Sequence, residues 1–220
     1  METSTSPERG FYETEYHFAD DVMEAGEARL RRAIELLHPL AGASFLDLGS
    51  GVGWAAHLAV EGGAEPAVGL DFAWRALQLG AQHIPGVERV QADGCHLPLR
   101  DRSFERVLSF GSLEHFPDVD VALRELARVL HPLGKAVVVV PNFYVRTEQP
   151  QELRLRYGAW RDRFEQAGLV ITATRADHGP AIMRNHKPVR VAIRAAAKVL
   201  AYVPRLPYQF IFRIEHRTPS

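Results

Sequence analysis

Cysteine is nearly absent. The one thiol, Cys95, excludes an internal disulfide and any metal cluster built on several cysteines. No uncharged apolar run approaches the roughly 18 residues of a membrane-spanning helix. The longest, AVVVVP at 136–141, is the size of a strand. The start, METSTSPERG, lacks a basic stretch followed by an apolar one, so no secretory leader is expected. No pair of histidines stands at i, i+4 with a nearby acid, so the spacing points to no catalytic metal. These absences lead to the expectation of a cytoplasmic protein.

Net charge is also small, at −1, but it hides an asymmetry. Residues 1–145 hold 12 Lys+Arg against 21 Asp+Glu, whereas residues 146–217 hold 14 against 6. A basic C-terminal third on an acidic body suits an anionic acceptor or surface, or a solvated face whose charges happen to segregate. With 220 residues, 46% apolar and 24% charged, the chain is expected to form one globular domain over 1–220. Its parts are an N-terminal flap and helix (1–40), a core (41–145) and a C-terminal half (146–220) with a basic insertion at 178–207.

Hydrophobic periodicity sets out the elements. Residues 21–38 carry apolar letters at helical spacing and stop at Pro39. Short apolar strands are predicted at 44–48, 66–72, 87–93, 104–111 and 134–142, with helices at 53–63, 74–83 and 119–130. This alternation predicts an α/β fold of three layers, a mostly parallel sheet with helices on both faces. After a helix at 156–168, the stretches 169–177 and 208–216 alternate apolar and polar letters, as edge strands pairing antiparallel do. Between them a further helix is expected at 189–203, with Arg190, Arg194 and Lys198 in one stripe.

The first strand runs into FLDLGSGVGW, Phe45 to Trp54. A dinucleotide fingerprint would require a small residue where Trp54 stands, and Asp47 ahead of the glycines would repel a phosphate. The pattern suits a ligand that is cationic or donates hydrogen bonds, which glycines let the backbone approach closely. FLDLGSGVG resembles the first motif of the class I, Rossmann-like S-adenosylmethionine-dependent methyltransferases. Three more motifs follow in order: VGLDF, VQADGCHLPL, and LSFGSLEHFPD leading into LARVLHPLGKAVVVVPN, so the resemblance spans about 44–142.

That resemblance implies a seven-stranded sheet with an antiparallel final strand, S-adenosylmethionine as cofactor and S-adenosylhomocysteine as product. Asp47, Gly49, Ser50, Gly51 and Gly53 would hold the methionine and adenosine parts. Asp71, 24 residues after Asp47, would accept from the ribose hydroxyls, with Phe72 against the adenine. Asp93 would read the adenine amino group, Gly94 and Cys95 would supply backbone contacts, and Ser109 belongs to the fourth-strand motif. Taken singly, the acids could be ordinary turn formers and Cys95 a buried small residue.

His115 is the candidate base, with Glu114 its neighbour; its alternative role is to cap or pack the next helix. Further substrate-side candidates are Tyr12, Tyr16 and His17 on the N-terminal flap, and His178, Arg184 and His186 in the basic insertion. The expected acceptor is a small molecule: a sugar, a glycolipid intermediate or a natural product. The insertion is similar to that of methyltransferases acting on nucleotide-linked or lipid-linked sugars. Helix 189–203 suits peripheral contact with an anionic membrane, the mouth of an acceptor pocket or a solvated lid. Two alternatives stand beside a small-molecule acceptor. One is a nucleic-acid acceptor, which the basic third allows but the small net charge and SFGS, rather than an N-P-P-Y type tetrapeptide, after the fourth strand disfavour. The other is a non-catalytic S-adenosylmethionine-binding module.

Overall fold

The structure, a computed structural model, describes residues 20–144, 152–177 and 207–217, with side chains from residue 26 onward. The elements are α1 (Asp20–Ile34), β1 (Phe45–Leu48), α2 (Trp54–Glu61), β2 (Ala67–Asp71), α3 (Trp74–His83), β3 (Glu88–Gln91), β4 (Phe104–Phe110), α4 (Val119–Val129), β5 (Leu130–Pro141), α5 (Tyr157–Gln166), β6 (Leu169–Asp177) and β7 (Gln209–His216). They build a seven-stranded sheet of order β3-β2-β1-β4-β5-β7-β6. The first five strands are parallel, and β7 runs antiparallel to both β5 and β6.

The run of valines in β5 shows why the sheet has two cores. Successive strand residues point to opposite faces. Val138 and Val140 join Leu46, Leu48, Leu123, Leu126, Trp160 and Phe212 on one face. Val137 and Val139 join Phe45, Leu37, Ala56 and Ile211 on the other. Helices α4 and α5 therefore cover the first face, and α1 and α2 the second. In α4 the buried Val119, Ala122, Leu123 and Leu126 form the core-facing stripe, repeating at three and four residues. The Asp118 side chain starts that helix by accepting from the Val121 amide at 2.9 Å, a cap worth about 1 kcal/mol.

Several boundaries and one placement differ from the sequence reading. The first helix becomes a single 3-10 turn at Glu35–Leu37 before Pro39. The third strand shortens to Glu88–Gln91, because the following residues turn through Asp93. The fifth begins at Leu130, directly after α4. Of the two late strands, only β6 is an edge. Strand β7 lies inside the sheet, where Phe210, Phe212 and Ile214 serve one core and Ile211 the other, so both its faces are covered. The helix expected at 189–203 lies outside the described residues.

Candidate active site

The glycine loop leaves β1 at the carboxyl end of the parallel strands. Gly49, Gly51 and Gly53 have φ of +77°, +55° and +89°, a region that side chains with a Cβ rarely enter. The amides of Gly49 and Ser50 both donate to the Leu70 carbonyl, at 2.8 and 2.9 Å, which fastens the loop to β2. Asp71 completes the attachment: Oδ2 accepts from the Gly51 amide at 2.7 Å and Oδ1 from the Ala73 amide at 2.9 Å. Each carboxylate oxygen still has a lone pair for a ligand hydroxyl. Burial pushes the Asp71 carboxyl up from its ordinary value, and those amides oppose the shift.

Asp47 lies beneath the loop, on the face shared with Phe45. It is buried and accepts from the Ala56 amide in the first turn of α2 at 3.3 Å. Burial raises its carboxyl to about 7, with the Asp71 charge a smaller contribution in the same direction. Between about pH 4 and pH 7 the folded protein therefore keeps a proton that the unfolded chain has released. This group's contribution to stability is complete below about pH 4 and is lost as the pH rises through about 7. Urea unfolding across that range should show Asp47→Asn removing a decline of up to about 1.4 kcal/mol per pH unit, leaving the variant more stable than the parent above pH 7. Identical pH profiles for variant and parent would show that Asp47 is not the buried acid responsible.

The loops after β3 and β4 lie at the same end of the sheet. Asp93 Oδ1 accepts from the Cys95 amide at 2.8 Å, while its side chain stays partly open to solvent. Phe116 lies against Gly94 so closely that a Cβ there would overlap its ring. The Cys95 thiol points to the Asp118 carbonyl at 3.4 Å and is held up by burial, so it is a packed side chain whose backbone alone faces the loop. Phe72 is half-buried beside Asp71, and its carbonyl accepts from the Gln91 side-chain Nε2 at 3.1 Å. Ser109 is fully buried within β4, with no hydrogen-bond partner for its hydroxyl among the described residues.

Two contributors escaped the sequence reading. Ser112 donates its hydroxyl to the Gly49 carbonyl at 2.8 Å and joins the end of β4 to the glycine loop. A Cβ on Gly49 would overlap Ser112, so the glycine and the serine require each other. Gly80, in α3, lies so close to the Val52 carbonyl that a Cβ would overlap it. No sequence motif marks either residue, because each is defined by what another loop brings to it.

Ser112 leads into a 3-10 turn, Leu113–His115, absent from the sequence reading. It sets Glu114 and His115 beside the glycine loop. Glu114 is buried, and burial raises its carboxyl to about 8, opposed by its own amide and assisted by the Glu152 charge. Its carbonyl accepts from the Leu153 amide at 2.9 Å, bringing the segment before α5 against the turn. The cap of the next helix is Asp118, which removes the capping role considered for His115. The candidates Tyr12, Tyr16, His17, His178, Arg184 and His186 lie outside the described residues.

The loops at this end of the sheet fit S-adenosylmethionine: three left-handed glycines, and carboxylates at the end of β2 and near β3. Residues 46–138 match the family described as methyltransferase domain. Methyltransferase GfsG of Streptomyces halstedii is 39% identical over 126 residues, covering 54% of this chain and 45% of that protein. A demethylmenaquinone methyltransferase of Streptomyces griseus subsp. griseus is 37% identical over 126 residues, covering 56% of this chain and 54% of that protein. The chain thus spans about half the length of these relatives. An S-adenosylmethionine dependent methyltransferase from Mesorhizobium loti shares the fold, with a TM-score of 0.66 at 20% identity, covering 88% of this chain and 98% of that one. Residues 46–138 are thus similar to S-adenosylmethionine-dependent methyltransferases, and the sheet has the Rossmann-like fold of the solved ones.

Proposed function

We propose that the protein transfers the methyl group of S-adenosylmethionine to an oxygen or nitrogen nucleophile of a small acceptor: a sugar, a glycolipid intermediate or a natural product. The cofactor, when bound, supplies a methyl carbon activated by its positive sulfur. The chain must then hold the nucleophile in line, exclude water and receive the proton it loses. The observation that supports this reading is the Glu114–His115 turn, which the Ser112–Gly49 hydrogen bond holds against the cofactor loop. His115 is half-buried there, suited to receive a proton from a hydroxyl or amine.

The basic stretch has its described flanks at the same end of the sheet. Asp177 and Gln209 pair across β6 and β7, and Gln209 also pairs with Pro141 at the carboxyl end of β5. The Arg29 guanidinium of α1 binds Asp177, with Nε 2.8 Å from Oδ2, and also reaches Gln209. The flanks of residues 178–206 therefore lie at the end that carries the glycine loop, which favours an anionic acceptor, free or at a membrane surface. A cytoplasmic setting fits this reading.

A second reading, methylation of a ring carbon, draws on a different feature. Phe143 and Tyr144 are exposed just beyond β5, with the Arg156 guanidinium over both rings at 5.2 and 5.8 Å from their centroids. Such a surface suits a flat acceptor, and relatives of this chain are named demethylmenaquinone methyltransferases. Isotope-labelled methyl groups separate the two. NMR of the product should show the label on oxygen or nitrogen; a label on ring carbon would replace the first reading with the second.

A further inference from the structure

The polar groups around Glu114 exceed what a single proton acceptor needs. Glu114 and His115 come from the turn after β4, and Glu152 from the segment before α5, 37 residues after His115 in the chain. One ligand-capable atom from each lies within 4.8 Å of the other two. Glu114 is only 2% exposed, and its Oε2 has no hydrogen-bond partner among the described residues. A buried carboxyl oxygen left this way costs free energy unless something satisfies it. The Leu153 amide, donating to the Glu114 carbonyl at 2.9 Å, fixes the backbone beside Glu152 against the turn, so the cluster does not depend on long side chains meeting by chance.

We infer that Glu114, His115 and Glu152 form a binding site for one divalent first-row transition-metal ion. Two carboxylates and one imidazole suit Mn²⁺, Co²⁺ or Zn²⁺, whereas Mg²⁺ and Ca²⁺ favour oxygen donors throughout. Bonds of about 2.0–2.2 Å to such an ion would require the three ligand atoms, now within 4.8 Å of one another, to draw closer around it. Three protein ligands leave positions open for water or an acceptor oxygen. Joined to the methyl-transfer reading, an acceptor hydroxyl held by the ion would release its proton more readily to solvent water, so the proton-accepting role given above to His115 would pass to water and His115 would serve as a ligand. No short sequence motif marks the site, because the third ligand comes from a distant segment.

Titration of chelator-treated protein with Mn²⁺, followed by calorimetry and electron paramagnetic resonance, tests the site without any turnover. One equivalent should bind, with affinity falling at least about tenfold in both Glu152→Gln and Glu114→Gln. Circular dichroism of the two variants should match the parent, since both changes keep side-chain shape. Co²⁺ should give visible d–d absorption in the parent that weakens in Glu152→Gln. Absence of stoichiometric binding, or equal affinity in the parent and both folded variants, would overturn the site. Methyl transfer that persists in metal-free protein would leave the proposed function standing while removing the ion from it.

Discussion

Asp71→Ala is expected to lower S-adenosylmethionine affinity at least about 100-fold, to the point of no measurable heat in a calorimetric titration. Two losses combine. A carboxylate accepting from both ribose hydroxyls would lose two hydrogen bonds to a charged group, each contributing about 1.5–3 kcal/mol. With about 1.4 kcal/mol per factor of ten, two such bonds account for the loss. The same oxygens accept from the Gly51 and Ala73 amides at 2.7 and 2.9 Å, so the alanine also frees the glycine loop. Asp71→Asn should bind weakly as well, because its amide nitrogen would face one of those N–H donors. Fold stability should fall as well, because the Gly51 and Ala73 amides lose their acceptor. Unchanged binding in the alanine variant would refute the ribose assignment.

Gly80→Ala is expected to reverse the usual sign of a glycine-to-alanine change. Inside an exposed helix that change stabilises by roughly 0.5–1 kcal/mol through backbone entropy and helix propensity. Here the new Cβ would overlap the Val52 carbonyl and crowd Arg89 Nε, 3.0 Å away. A backbone carbonyl cannot rotate aside as a flexible side chain can, so α3 or the glycine loop must shift. Overpacking of this kind costs about 1–3 kcal/mol, which exceeds the propensity gain. Denaturant unfolding should show the variant less stable than the parent. Calorimetry should show weaker cofactor binding, because Val52 lies between Gly51 and Gly53. A variant as stable as the parent or more so would mean that α3 does not rest on the loop.

The cofactor half of the fold was legible in the sequence because its signals are local. Asp47, the glycines and Asp71 occur within single strand–loop segments, and the sheet order keeps each at the carboxyl end of its strand. Alternation in β5 was equally plain, since a parallel strand covered on both faces reads as a run of valines. The interior position of β7 was not legible. Its partly polar letters suggested an edge, and only the second core beneath Ile211 explains its burial on both faces. Ser112 and Gly80 were missed for a related reason. A serine and a helical glycine acquire their roles from Gly49 and Val52, which the chain brings to them in space. Glu152 belongs to the same group, reaching Glu114 through the Leu153 backbone.

The most direct test of methyl transfer uses the intact protein, S-adenosylmethionine carrying a labelled methyl group, and a fractionated small-molecule extract of the cells that make it. The account predicts that label moves to a small acceptor with stoichiometric formation of S-adenosylhomocysteine, and that Asp71→Ala abolishes the transfer. Label that remains on S-adenosylmethionine in every fraction, while the protein binds the cofactor normally, would contradict it.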